Sequence, residues 1–250
     1  MRFAAALLGL FIAGGNGAQA ASFSVDPITV SLKAGNSSAT VAMTNQSPQA
    51  MRFQITGFAW GQTPTGEMQL TPSEDLVFFP QLVTLAAGET RRIRVGLTAN
   101  QGPMEKTFRV FMEELPSLES VTQAAGSVLT LRMKIGVPVF LGPAGAPVVS
   151  GTVQNAAIHG ATLDFDVANT GNTHFSVQTV HLVGKNATGG DVFAQDLTGW
   201  YVLAGKSRHY SIPITKARCA ALRSLAVNVK ADTVTFSHEF AGLSSECSST

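Results

Sequence analysis

An all-β chain arranged as two tandem β-sandwiches is what this sequence predicts, on three observations. Apolar and polar residues alternate in short runs along almost the whole length, the period of a half-buried strand and not of a helix. Clusters of Gly, Pro, Asn and Ser separate the runs, as turns between short strands do. The second half also repeats features of the first at a spacing of about 120 residues, the size of one immunoglobulin-like sandwich.

The chain opens with Met1-Arg2-Phe3, an apolar run from Ala4 to Ala13, and the small-residue end Ala18-Gln19-Ala20. This is the layout of a secretory signal, with the mature chain expected to begin at Ala21. No later stretch approaches the apolar length of a membrane helix, so no membrane insertion is expected. Without Arg2, 16 basic side chains face 16 acidic ones, which leaves no basic excess for nucleic acid.

In the first half the clearest strands are 40–45, 52–56, 92–97 and 108–112; in the second they are 163–167, 175–182, 210–214, 225–229 and 234–240. Leu85-Ala86-Ala87-Gly88-Glu89 lines up with Val202-Leu203-Ala204-Gly205-Lys206, and Asn45 before Phe53-Gln54-Ile55 is echoed by Asn169 before Phe175-Ser176-Val177. Gly142 to Pro147, rich in Gly and Pro, reads as a short linker. The expected division is a signal over 1–20, a first domain over 21–141, a linker over 142–147 and a second domain over 148–250.

Residues 127–140 form the most telling run. Leu129, Leu131, Met133, Ile135, Val137 and Val139 share one parity, while Gly136 and Pro138 disfavour a central strand. Alternation of this kind is also what ordinary sandwich core looks like. Set beside an export signal and the absence of any catalytic constellation, it reads as a strand edge left open for another chain.

No Gly-x-Ser-x-Gly elbow, His-Glu-x-x-His helix or phosphate-binding glycine loop occurs, and the five histidines are scattered without metal-site spacing. Adjacent Glu113 and Glu114 would point to opposite faces of a strand, which is wrong for paired acid-base work. The expectation is therefore a non-enzyme with no metal and no cofactor. Cys219 and Cys247, late in an exported chain, read as a disulfide.

The motifs Val25-Asp26-Pro27, Asp75-Leu76-Val77-Phe78-Phe79-Pro80, Leu85 to Val95, Lys106 to Pro116 and the ending Val137-Pro138-Val139-Phe140 together resemble the periplasmic pilus chaperones of the chaperone-usher pathway, in particular the archaic branch. The resemblance covers most of the first half and is weaker in the second. It implies two immunoglobulin-like domains in an L-shaped arrangement, a monomer or self-capped dimer when free, located in the periplasm. It further implies that the chain binds pilin subunits by lending them a strand, with Leu129, Leu131, Met133 and Ile135 as donor side chains, and delivers them to an outer-membrane usher. Relatives of the better-studied branch clamp the subunit's terminal carboxylate with an Arg of the first strand and a Lys near the end of the donor strand. Here Thr29 and Pro138, or their neighbours, stand at those places, so Lys134, Arg132 and Arg109 are the candidate replacements. A structural reading, an exported β-sandwich pilin or adhesin subunit of a surface fibre, stays as the alternative.

Overall fold

A computed structural model describes residues 22–116 and 131–243. The signal segment 1–20, the donor residue Leu129 and Cys247 lie outside the described residues.

The first sandwich is made of β1 (Phe23–Asp26), β2 (Val30–Leu32), β3 (Ser38–Asn45), β4 (Met51–Gln62), β5 (Met68–Thr71), β6 (Leu76–Phe79), β7 (Leu82–Leu85), β8 (Thr90–Leu97), β9 (Lys106–Glu114) and β10 (Lys134–Leu141). One sheet runs β1-β3-β8-β6; the other runs β2-β10-β9-β4-β5, with β7 also paired to β4. The period of two decides which side chains meet between the sheets: Val41 and Met43 of β3, Phe53 and Ile55 of β4, Ile93 and Val95 of β8, and Val110 and Met112 of β9 form one buried cluster.

The second sandwich contains β11 (Gly151–His159), β12 (Thr162–Asn169), β13 (Phe175–Lys185), β14 (Asp191–Leu197), β15 (Tyr201–Val202), β16 (Ser207–Pro213), the short helix α1 (Lys216–Ala221), β17 (Ser224–Ala231) and β18 (Thr235–Ala241). Its sheets run β11-β12-β16 and β14-β13-β17-β18, with β15 on β13. A separate buried cluster, including Phe165, Phe175, Leu182 and Val227, lies between them. Helix α1, which periodicity does not predict, starts where the Thr215 side chain accepts from the Arg218 N–H, and it buries Cys219.

The internal repeat has a structural cause. Asn45 ends β3 fully buried, and its amide nitrogen donates to the carbonyls of Gln49, Leu85 and Ala86 while its oxygen accepts from the N–H and hydroxyl of Ser47. Asn169 ends β12 in the same role, donating to the Thr173 and Val202 carbonyls and accepting from the Gly171 N–H. In each half the asparagine satisfies backbone groups of a tight turn between two strands, and the turn closes through Gly88 or Gly205, both at positive φ. The strand pairs β3·β8 and β4·β7 match β12·β16 and β13·β15.

Of the run at 127–140, residues 127–130 lie outside the described residues. Among the rest, the strand spans Lys134–Leu141 and residues 131–133 stand outside it. Ile135, Val137, Val139 and Leu141 then point into the sandwich's own core.

Removing the asparagine amide strands buried carbonyls, so Asn45→Ala is expected to lower unfolding free energy by about 2–4 kcal/mol, and Asn169→Ala comparably. Urea unfolding monitored by tryptophan fluorescence checks this; a loss below about 1 kcal/mol for both would contradict the role assigned to the pair.

Candidate protein-binding edge

Strand β10 has two different edges. On one side it pairs antiparallel with β9 from Lys134 to Leu141; on the other it pairs, in parallel, with β2 only at Val139, Phe140 and Leu141. Over Lys134–Pro138 the outer edge has no strand partner among the described residues. Pro138 sits where the β2 pairing stops, at a place where its missing N–H removes no ladder bond. Gly136 is required by packing, because a β-carbon there would lie 2.7 Å from the Phe111 ring.

Pairing with β9 continues past the strand's start, since the Glu114 N–H donates to the Met133 carbonyl at 2.9 Å and the Met133 N–H donates to the Glu114 carboxylate. Of the donor residues read from the sequence, Met133 and Ile135 are half-buried against the end of the first core, and Leu131 is 76% exposed. The same parity thus fills the domain's own core at one end and emerges into solvent at the other. A partner sheet continuing along this edge would bury what is left exposed, each such side chain contributing on the order of 1.5–3 kcal/mol.

The opposite parity of β10 faces the outside of the sheet, together with Arg109, Phe111 and Glu113 of β9. Two of the three candidate cations lie on that face. Lys134 Nζ is 2.8 Å from a Glu113 oxygen and 5.0 Å from the Phe111 ring centre, half-exposed. The hydrogen bond from Lys134, and then its charge, hold the Glu113 carboxyl below its ordinary pKa, with a smaller contribution from Arg132. Lys134 is therefore already paired. Arg132 is exposed, just before β10.

Arg109 is different. Its guanidinium lies over Trp60 at 4.6 Å and over Trp200 at 5.0 Å, and one of its terminal nitrogens contacts the Met68 sulfur. Burial pulls its pKa below the usual arginine value, against a smaller opposing effect of Tyr201. It stays charged at any relevant pH. Its Nε and the neighbouring Trp60 indole N–H are both buried without a hydrogen-bond partner among the described residues. A fixed cation with no carboxylate partner among the described residues is suited to an anionic oxygen group.

This corner is built by both sandwiches, and sequence reasoning missed it. Trp60, Phe140 and Leu203 form a third buried cluster with Trp200 and Tyr201 against it. Gln62 bridges the two halves, donating to the Tyr201 carbonyl and accepting from the Leu203 N–H. The His174 ring stacks on Phe140 at 3.7 Å, and both its backbone N–H and its Nδ1 meet the Glu105 carboxylate. The expected linker is tied down: Gly142 N–H donates to Leu32, Ala144 N–H to Gly102, and the Gln101 amide to the Gly142 and Pro143 carbonyls. The available signal was that the chain's two tryptophans fall at the ends of otherwise ordinary strand patterns.

Elsewhere, His181 and Asp196 meet on an exposed surface, and His209 lies between Asp164 and Asp166. Among the described residues no group of three or more His, Cys, Asp or Glu is arranged to hold a metal.

Two sandwiches, the first ending in a strand with an open edge beside a cationic corner, define a protein built to hold another chain. The comparisons identify the family: residues 22–147 match the model of the pili and flagellar-assembly chaperones, PapD N-terminal domain, and the chain belongs to that family. Compared by sequence with curated proteins, it matches none. Among solved structures, the fold is similar to that of the CsuC-CsuE chaperone-tip adhesion subunit pre-assembly complex from archaic chaperone-usher Csu pili of Acinetobacter baumannii, with 16% identity, 87% of this chain and 97% of that one covered, and a TM-score of 0.59. It is similar also to the Salmonella enterica SafA pilin in complex with the SafB chaperone (14%, 88% and 97%, 0.58) and to the class 5 fimbriae chaperone CfaA (18%, 89% and 100%, 0.56).

Proposed function

We propose that this chain is a periplasmic chaperone of the chaperone-usher pathway, of the archaic branch, that holds pilin subunits by lending them a strand and delivers them to an outer-membrane usher. The observation that carries the reading is the edge of β10, which over Lys134–Pro138 has no strand partner among the described residues, in a chain of the pilus-chaperone family. Leu131, Met133 and Ile135, with Leu129 before them, are the side chains that enter the subunit. A one-residue slip would offer Arg132 and Lys134 to an apolar groove instead, so the alternation defines the register. The leader over 1–20 takes the chain to the periplasm; the domains are 21–141 and 148–250, joined by 142–147. Binding and release by strand exchange involve no bond chemistry, so no catalysis is assigned. The surface-subunit reading is disfavoured because the family model that matches is a chaperone's.

Co-expression with a pilin subunit from the same gene cluster tests this. The parent protein is expected to raise soluble subunit, Leu131→Asp to reduce capture at least tenfold because a carboxylate would be desolvated in an apolar groove, and Arg132→Asp to do much less. Leu131 is exposed, so its substitution leaves the fold intact. Equal subunit yield with and without the protein would defeat the reading; equal capture by both variants would defeat the register.

For the subunit's terminal carboxylate we assign Arg109, ahead of Lys134 and Arg132. Arg109 lies against two rings at the junction with no carboxylate paired to it among the described residues, whereas Lys134 is matched by Glu113. Arg109→Gln is expected to weaken a subunit with a free terminus about tenfold, roughly 1.4 kcal/mol, and to leave a terminally amidated subunit nearly unaffected. A cycle showing coupling at Lys134 and none at Arg109 would reverse the assignment.

We also propose a Cys219–Cys247 bridge, which would close a loop worth on the order of 3 kcal/mol. Intact mass measured without reductant, before and after alkylation, should reveal no free thiol; two alkylated cysteines would disprove it.

A further inference from the structure

We infer that Met68 is an oxidation site that gates the cationic corner: a peroxide converts its thioether to the sulfoxide, which occupies Arg109 and displaces the subunit's terminal carboxylate. The inference rests on the assignment of Arg109 proposed above and adds a regulation to it. Met68 opens β5, the terminal strand of its sheet, and stands opposite Gln62 on β4. It is 38% exposed, and its sulfur accepts from a terminal nitrogen of Arg109 at 3.3 Å.

The other methionines are placed differently. Met43, Met51 and Met112 are buried in the first core, where an oxidant dissolved in water arrives last. Met104 is exposed beside the Gly205 turn of the second sandwich, and Met133 is half-buried at the start of the lent strand. Among the described residues, Met68 is the methionine whose sulfur takes a hydrogen bond from a charged side chain.

The step balances with hydrogen peroxide as the oxidant. A sulfur lone pair attacks one peroxide oxygen, the O–O bond breaks, and the departing hydroxide takes the proton of the transferred oxygen. One thioether and one peroxide give one sulfoxide and one water; sulfur loses two electrons and peroxide gains them. A thioether is a weak acceptor, so in the reduced protein the contact with Met68 leaves Arg109 open to a better one. A sulfoxide oxygen carries partial negative charge, and here it is tethered to a sulfur already in contact with the guanidinium. An arriving carboxylate then competes with an acceptor that never diffuses away. Sulfoxide reductases restore the thioether, one enzyme for each sulfoxide epimer, so the change can be reversed.

The test uses the mature protein, the free-terminus and terminally amidated subunits, and the Arg109→Gln cycle, before and after dilute hydrogen peroxide. Peptide mapping is expected to place sulfoxide at Met68 while Met43, Met51 and Met112 stay reduced. The preference of the parent for the free terminus should fall about tenfold on oxidation, to the level of Arg109→Gln, and return after treatment with reductases of both epimer specificities. Oxidation at Met133 would weaken both subunits alike, so the ratio of the two affinities isolates the corner. Met68→Leu should keep after peroxide the preference it had before, and Met104→Leu should respond as the parent does. The parent series needs no variant of Met68, so it holds even if that substitution disturbs the strand. Lack of coupling at Arg109 in the reduced protein would defeat the carboxylate assignment and this inference with it. Coupling that survives full oxidation of Met68, Met68 remaining reduced while the buried methionines oxidise, or equal loss of preference in Met68→Leu would each overturn this inference alone.

Discussion

Backbone N–H and C=O groups along a strand must be paired or hydrated, and β10 meets that requirement differently at its two ends. At Val139–Leu141 it lies between β9 and β2, and its side chains help to seal the first core. At Lys134–Pro138 only β9 pairs with it among the described residues, so the same strand offers an unused ladder while its inward side chains run out of core to fill. Strand lending depends on this asymmetry. A strand paired on both sides throughout would have nothing to lend, and one free throughout would leave the sandwich open. Parallel pairing with the three-residue β2 divides the strand at Pro138, where no donor is lost.

The apolar alternation is legible in the amino-acid sequence itself, because a period of two has one meaning for a half-buried strand. What it does not say is whether Ile135 and Met133 belong to this domain's core or to a partner's. Both readings need the same side chains on the same parity, and the fold places these two at the boundary, half-buried at the end of the core. The start of the strand at Lys134 is equally hidden, since it depends on where pairing with β9 ends and not on the apolar pattern. The repeat, by contrast, is legible in detail: Asn45 with Gly88 and Asn169 with Gly205 are matched because both turns need a buried amide to satisfy their carbonyls.

Charges are the least legible part of the site. Parity puts Lys134 and Arg109 on one face, and by sequence they are equivalent cations. Register separates them. Lys134 stands directly opposite Glu113 on β9 and is neutralised by it, whereas Arg109 stands between Pro138 on β10 and Phe58 on β4, neither of which supplies a counter-charge. Met68 takes one of its terminal nitrogens, and Trp60 and Trp200 offer ring faces that stabilise a cation without occupying its donors. Contacts of this kind join residues far apart in the chain, and no local pattern records them.

That Trp200 comes from the second half would give that half a part in the carboxylate binding proposed for Arg109. Alone, the first sandwich would leave Arg109 with one ring and open water, where its charge would be screened and an arriving carboxylate would gain little. With Trp200 and Tyr201 set against Trp60 and Phe140, and with Gln62 and Glu105 bonded across the junction, water is displaced from one side of the guanidinium and its position is held. The same desolvation lowers the pKa of Arg109. A bound anion would offset the penalty, so the junction orients the second sandwich and, under the assignment of Arg109 proposed above, would also raise the affinity of the corner for a carboxylate. In this arrangement the second sandwich need not touch the lent strand to contribute to binding, because its rings shape the dielectric in which the cation acts.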